Sequence, residues 1–251
     1  MPLTYAVSRP APAPTGAPAR RLAAEAMLHV EADLAAEGRT ILDELARDFV
    51  PGQHYPEGEV WDAASHAQYF YHRHPEGERS PGEHGHFHTF LGAGGMPRGL
   101  TPLMLPEMAL GGACDSRGRG VGTHRSPRDR GVVSHLVALS LDQAARPAEL
   151  FTTNRWVTGE TWFRAEDVAR MLPAFRIEGE DPSPMVGRWL TAVMGVLRPR
   201  IVELVEERDA RIMDWRRRRS RQCHVFDDRR LEVASYRRLD FAAELEAALG
   251  A

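Results

Sequence analysis

The chain has 251 residues, of which 43% are hydrophobic and 27% are charged, which is enough for one substantial core. A formal net charge of -3 argues against a dedicated nucleic-acid binder. Every basic residue is arginine, so the chemistry of Schiff-base lysines and of P-loop lysines is excluded. No apolar run reaches the roughly 18 residues of a membrane helix, so we expect a soluble protein. The two cysteines are far apart in sequence, which suits the reducing cytoplasm.

The N-terminal part divides into a tail and a helical region. Residues 1–18 are rich in proline and alanine and are predicted to form a disordered tail, whereas residues 19–251 are predicted to form a single α+β domain. From Arg21 onward, apolar residues recur at helical spacing as far as Phe49. Gly38 interrupts this pattern, and Thr40 with Asp43 has the spacing of a capping box, so we expect two helices or one helix broken at Gly38.

Histidine is the densest signal in the sequence, because seven of the eleven histidines lie between positions 54 and 88. Five of them form two short runs in which every second residue is histidine: His72, His74, His84, His86 and His88. Alternate residues of a β-strand point to the same face, so each run would present its imidazoles on one side. The segment between the runs is rich in proline and glycine and suits a hairpin connection.

The way the two strands pair decides whether these rings meet. An antiparallel register that pairs His72 with His86 and Phe70 with His88 would collect all five imidazoles on one surface. A register shifted by one residue would scatter them. We therefore predict an antiparallel β-sheet of hairpins that carries a histidine cluster and is flanked by N-terminal and C-terminal helices.

Such a cluster predicts a mononuclear metal site, because imidazole is the commonest metal ligand in proteins. Cysteine is absent from the cluster, so the candidate ions are zinc, ferrous iron, copper and nickel. His54 precedes the strands and could supply a fourth ligand, a hydrogen bond to a ligand or a base. Strand alternation turns Glu83 to the opposite face, unless a kink at Gly82 or Gly85 redirects it.

A second hairpin is predicted from the apolar run Val132 to Leu141 and the segment Glu149 to Thr153. His135 lies on the first of these strands and is more typical of a core histidine than of a ligand. Beyond the hairpin, Asn154 and Arg155 are predicted to bind substrate, since a guanidinium holds a carboxylate or phosphate through two hydrogen bonds. Packing of a strand rich in threonine and tryptophan is the alternative for this segment.

The remaining sequence is mainly helical. Ser183 and Pro184 have the pattern of a helix start, and Pro199 should kink or split the helix that follows. A strand from Leu231 to Tyr236 and a helix from Asp240 to Leu249 are expected to close the domain.

Several strings together resemble an uncharacterised bacterial family defined as a domain of unknown function, over roughly positions 54 to 172. These strings are HYP at 54–56, QYFYH at 68–72, EHGHFH at 83–88 and LFTTNRWVTGE at 150–160. The resemblance implies no activity. Two histidines separated by one residue on a strand are also similar to the ligand pattern of α-class carbonic anhydrases and cupins, but neither similarity extends further along the chain.

We consider three hypotheses of function. The first is a metal-dependent enzyme of hydrolase or oxygenase type that acts on a small anionic substrate. The second is a non-catalytic protein that holds a metal, a haem or another small ligand through the same histidines. The third is a structural or interaction module whose histidines are incidental. A separate alternative for the cluster is an apo ligand pocket, or a surface that becomes protonated below about pH 6.5. A small-molecule ligand is the expected partner, and membranes and nucleic acid are not; the oligomeric state is left open.

Overall fold

The computed structural model of the chain describes residues 16–105, 113–114, 120–121, 131–179, 182–218 and 224–250. Its N-terminal helices are α1 (Ala17–Ala36) and α2 (Ile41–Leu45). The predicted break is confirmed, since Gly38 has a φ of 69° and the capping box of Thr40 and Asp43 begins α2. Residues 17 and 18, the last two positions of the predicted tail, are the first residues of α1. Residues 1–15 lie outside the described part.

The strands form one main antiparallel sheet, and its order is β1-β2-β3-β6-β7-β8. A separate pair is formed by β4 and β5. The strand bounds are β1 (Tyr55–Trp61), β2 (Ala67–His72), β3 (Glu83–Gly92), β4 (Ala113–Cys114), β5 (Gly120–Val121), β6 (Val133–Asp142), β7 (Pro147–Thr153) and β8 (Val233–Arg238). Both predicted hairpins are present, as β2–β3 and β6–β7.

The later helices complete an α+β fold, as predicted. They are α3 (Arg155–Thr158), α4 (Ala165–Met171), α5 (Pro184–Val196), α6 (Arg198–Arg218) and α7 (Phe241–Leu249). The Ser183 hydroxyl accepts a hydrogen bond from the Met185 N–H at 3.2 Å and caps α5, and α5 and α6 divide just before Pro199. None of the helices within the described ranges is long and apolar enough to cross a lipid bilayer.

The helices cover one face of the sheet. Tyr69 and Tyr71 of β2 and Phe87 of β3 are fully buried there and belong to the same apolar cluster as residues of α1, α4, α5 and α6. The Phe87 ring lies 6.0 Å from the ring of Trp189 on α5. Because side chains alternate along a strand, the residues between these aromatics point to the other face, where the histidines lie.

The pairing of β2 with β3 fixes the positions of those histidines. Phe70 pairs with His88, and His72 pairs with His86, in the register that the sequence predicts. Further along, Phe90 pairs with His135 of β6. The register therefore places three histidines from two adjacent strands, and a fourth from β6, on the face opposite the helix-packed aromatics.

A β-bulge at His84 changes the direction of the residues before it. Glu83 pairs with Asp142, whereas Gly85 pairs with the adjacent residue Leu141, so that two steps on β3 correspond to one step on β6. Glu83 consequently shares a face with His86. The orientation of Glu83 expected from regular alternation is wrong, and the alternative of a kink at Gly82 or Gly85 holds, because the bulge breaks the alternation here.

Gly85 is required where β3 approaches β2. A Cβ atom at this position would lie 2.5 Å from the carbonyl oxygen of His72 and 2.7 Å from the hydroxyl oxygen of Tyr71. We expect Gly85→Ala to lower the free energy of unfolding by roughly 1–3 kcal/mol, because the strands must separate. Denaturant unfolding checks this. Gly179→Ala is the control, since its Cβ would meet nothing closer than Asp62 Oδ2 at 3.6 Å; equal stability of both variants would contradict the account.

Candidate metal centre

Three histidines bring ring nitrogens close together on the face of the sheet opposite Tyr69, Tyr71 and Phe87. One ring nitrogen from each of His72, His86 and His88 lies within 4.8 Å of the other two. The Nε2 atoms of His72 and His86 are 2.6 Å apart. Nitrogens that bind one ion at about 2.0–2.1 Å are themselves separated by roughly 3 Å, so small side-chain movements suffice to place an ion among these rings. His86 and His88 are 1% and 3% exposed, which shields the group from bulk water.

Glu83 holds His86 in the orientation that metal binding needs. Its Oε1 lies 2.6 Å from His86 Nδ1, and the bulge at His84 is what brings the carboxylate there. If Nδ1–H donates to this carboxylate, the lone pair of Nε2 is free for a metal. Carboxylates bonded to ligand histidines in this way fix the tautomer and raise the basicity of the ring. Burial raises the pKa of Glu83, and the nearby Arg79 opposes that rise.

His135 orients the ring of His88 through a hydrogen bond, as Glu83 orients His86, but with an imidazole in place of the carboxylate. His88 Nδ1 and His135 Nε2 are 3.1 Å apart. For Nε2 of His88 to bind a metal, its Nδ1–H must donate to His135, which must then carry its own proton on Nδ1. The backbone N–H of His135 donates to Oε2 of buried Glu160 at 2.8 Å. The sequence indicated only a core histidine at this position, and its burial agrees with that; its contact with His88 was not predicted.

Burial keeps these imidazoles neutral, which is the form that binds metals. It lowers the pKa of His72 to about 2 and that of His135 to about 3, with smaller contributions from neighbouring positive groups. The pKa values of His86 and His88 also lie well below the usual value for the same reason. The site thus presents neutral ligands at physiological pH.

The other two predicted ligands lie in different places. The ring of His74 is 4.9 Å from that of His72 and 5.3 Å from that of His86, at the rim of the centre. The structure does not bring His84 to this surface. Its Nδ1 is 2.7 Å from the hydroxyl of Tyr71, and its ring packs on Phe49, because the bulge turns it toward the helical face.

His54 lies beside the centre. Its ring stacks on Phe70 with a centroid separation of 4.0 Å and meets the ring of His72 edge-on at 5.5 Å. Its Nδ1 is 3.2 Å from a carboxylate oxygen of Glu59, whose other oxygen accepts a hydrogen bond from Gln68. His54 therefore belongs to the surroundings of the three histidines, in a second pair of imidazole and carboxylate.

Asn154 and Arg155 make internal contacts. The buried Asn154 amide donates to the carbonyl of Val225 at 2.8 Å, and its oxygen accepts from the Arg155 N–H at 2.9 Å. Arg155 forms an ion pair with Asp227, in which Nε lies 3.2 Å from Oδ1. These contacts fasten the end of β7 to the segment before β8. They support a structural role, and substrate binding by the two residues stays a prediction.

Comparisons with known proteins identify a family and no activity. Residues 21–239 match the family model described as a domain of unknown function (DUF6969). No curated protein and no solved structure matches the chain. The match covers the two hairpins that carry the histidines, as well as the helices that pack behind them.

The buried histidines predict that the metal-free protein loses stability in acid. Unfolding restores the ordinary pKa near 6.5 of His72, His86, His88 and His135, so the unfolded state binds more protons below that pH. Each imidazole that stays neutral in the fold then lowers the free energy of unfolding by up to about 1.4 kcal/mol per pH unit. We expect a steep fall between about pH 7 and pH 5, measured by denaturant unfolding.

Glu160 provides the control for this measurement. Burial raises its pKa to about 8 from 4.5, so the stability contributed by its protonated form is lost as pH rises through that interval, a slope opposite in sign to that of the histidines. Glu160→Gln should therefore make the fall in acid steeper. A free energy of unfolding that does not change between these pH values would contradict the burial of neutral imidazoles.

Proposed function

We propose that this chain, which belongs to the DUF6969 family, binds one divalent transition-metal ion through His72, His86 and His88 and uses it to act on a small anionic substrate. The convergence of three ligand nitrogens within 4.8 Å of one another is the observation that carries the proposal. Three protein ligands leave at least one coordination position for water or substrate, as in catalytic rather than structural sites.

The donor set narrows the choice of ion. All three candidate ligands are imidazoles, and imidazole suits zinc, iron and copper. The carboxylate of Glu83 acts through His86 and raises the basicity of that ring. Zinc would lower the pKa of a bound water and favour hydrolysis, whereas iron or copper would favour oxygenase chemistry. Neither reaction type is preferred by the ligands alone.

A non-catalytic metal-binding protein is the second candidate. The observation that favours it is the burial of His86 and His88, which are only 1% and 3% exposed. A metal held there for storage or sensing would exchange its water slowly. Haem is a poorer occupant, because the 2.6 Å between the Nε2 atoms of His72 and His86 leaves no room for a porphyrin between those rings.

The expected partner is a small molecule, and the proposed location is the cytoplasm. Widely spaced cysteines, only two in number, suit a reducing compartment, which would also keep iron ferrous. The net charge of -3 does not favour nucleic acid.

Metal content tests the proposal directly. Protein purified without a histidine tag and incubated with zinc, ferrous iron or copper should retain about one equivalent of one ion after desalting, measured by elemental analysis. His86→Ala and His88→Ala should each lose that ion, because two ligands hold a metal far more weakly than three. Parent protein that retains no ion would contradict the proposal.

Two other histidines serve as matched controls. His84→Ala should keep the metal although His84 belongs to the same sequence run, because its ring contacts Tyr71 and Phe49 on the opposite face. His29→Ala, at an exposed position of α1, should keep it as well. Loss of metal in His84→Ala with the fold intact would show that the ligand set differs from the one proposed.

Glu83→Gln tests the hydrogen bond to His86. A glutamine still reaches Nδ1 but lacks the negative charge, so we expect metal affinity to fall by roughly 10- to 100-fold while the protein stays folded. Competition with a chromophoric chelator measures the affinity. Glu57→Gln, at an exposed position of β1, is the control. Unchanged affinity in Glu83→Gln would leave this carboxylate without the proposed role.

A further inference from the structure

A cavity adjoins the metal centre on the side of the β2–β3 connection. Its volume is about 630 Å³. The polar side chains that line it are those of Arg73, His74, Glu76, Arg79, Ser80, Glu83, His84 and Gln143. Two of these residues also touch the centre, since the ring of His74 lies 5.3 Å from that of His86 and Glu83 is bonded to His86. The cavity therefore opens beside the ligands.

Both arginines in the lining have a buried donor without an acceptor. The Nε atoms of Arg73 and Arg79 are buried and have no hydrogen-bond partner among the residues that the structure describes. A buried donor on a charged group is costly to leave unsatisfied, and most such groups in native proteins have a partner. These Nε atoms are closed to solvent, so an occupant of the cavity would meet the terminal N–H groups of the two guanidinium groups instead.

Arg79 extends from this cavity to the metal centre. Its guanidinium lies over the ring of Phe151, 4.3 Å from the centroid, and that ring meets the ring of His86 edge-on at 4.9 Å. The Nε atom forms an ion pair with Oε2 of Glu83 at 3.6 Å, a distance longer than a hydrogen bond. Packing on an aromatic face holds the guanidinium in place without using its N–H groups.

The acidic residues of the lining offset only part of the charge of the two arginines. Glu83 pairs with Arg79 through Oε2 and is bonded to His86 through Oε1. Glu76 is exposed, where solvent screens its charge. Arg155, which was predicted from the sequence to bind an anion, forms an ion pair with Asp227.

We propose that this cavity binds a small oxyanion, a carboxylate or a phosphate, through Arg73 and Arg79. A guanidinium recognises either group by two parallel hydrogen bonds. The anion-binding step needs no metal, whereas the further statement that this anion is the substrate rests on the proposed function. Arg79 would then determine which substrates reach the ion bound by His72, His86 and His88.

Isothermal titration calorimetry tests the proposal with two probes, inorganic phosphate and oxalate, on metal-free and on metal-loaded protein. At least one probe should bind metal-free protein. Arg79→Gln and Arg73→Gln should each weaken binding by roughly 10- to 100-fold, because each removes charge-assisted hydrogen bonds. Tighter binding of phosphate would identify a phosphate ester as the substrate class, and tighter binding of oxalate a carboxylate.

Controls separate this site from general charge effects and from the metal proposal. Arg146→Gln removes an exposed arginine outside the cavity and should leave probe binding unchanged. Should Arg79→Gln fail to fold, Arg79→Lys keeps the charge but loses the paired donors, and it too should bind more weakly. Absence of binding to folded parent protein, or equal binding by parent and Arg79 variants, overturns the proposal. Anion binding without any bound metal would support it while the metal proposal fails.

Discussion

The pairing of β2 with β3 is the constraint on which the candidate site depends. It sets His72 opposite His86 and Phe70 opposite His88, so that the three candidate ligand histidines come from neighbouring positions of two strands. Ladder hydrogen bonds hold backbone positions far more rigidly than loops do, and a site built on strands inherits that rigidity. The same pairing sends Tyr71 and Phe87 into the helical core on the opposite face. Function and stability thus depend on one register.

Hydrogen bonds among the buried imidazoles limit the cost of this arrangement. A buried polar group without a partner costs about 1–3 kcal/mol, and four buried or half-buried histidines would be expensive if they stood alone. Glu83 bonds to His86, and His135 bonds to His88. The two facing nitrogens of His72 and His86 are the part of this network that a metal would satisfy best, since two neutral rings can share only one proton there. A metal ion bound by these two nitrogens would complete the network.

The sequence predicted the regular parts of this molecule and missed the irregular ones. Histidine at every second position predicted both strands and their register, because a repeat of two residues is explained by a β-strand. The bulge at His84 has no such pattern, and it removes His84 from the surface while adding Glu83. Gly82 and Gly85 on either side of it were the available signal. Arg79 lies in the connection between β2 and β3, where the sequence has no repeat. Its contact with Phe151 could therefore not be predicted from the sequence. Asn154, the only asparagine in the chain, caps α3 and ties two segments together, a structural role that no sequence pattern indicated.

X-ray absorption spectroscopy of metal-loaded protein tests the central claim most directly, because it counts ligands and measures their distances. We expect about three imidazole nitrogens at roughly 2.0–2.1 Å from the metal, together with a smaller contribution from a water oxygen. In His86→Ala the imidazole contribution should fall with the metal content, and in His84→Ala it should not change. A spectrum dominated by oxygen ligands, or by sulfur, in the stoichiometrically loaded parent would contradict a centre formed by His72, His86 and His88.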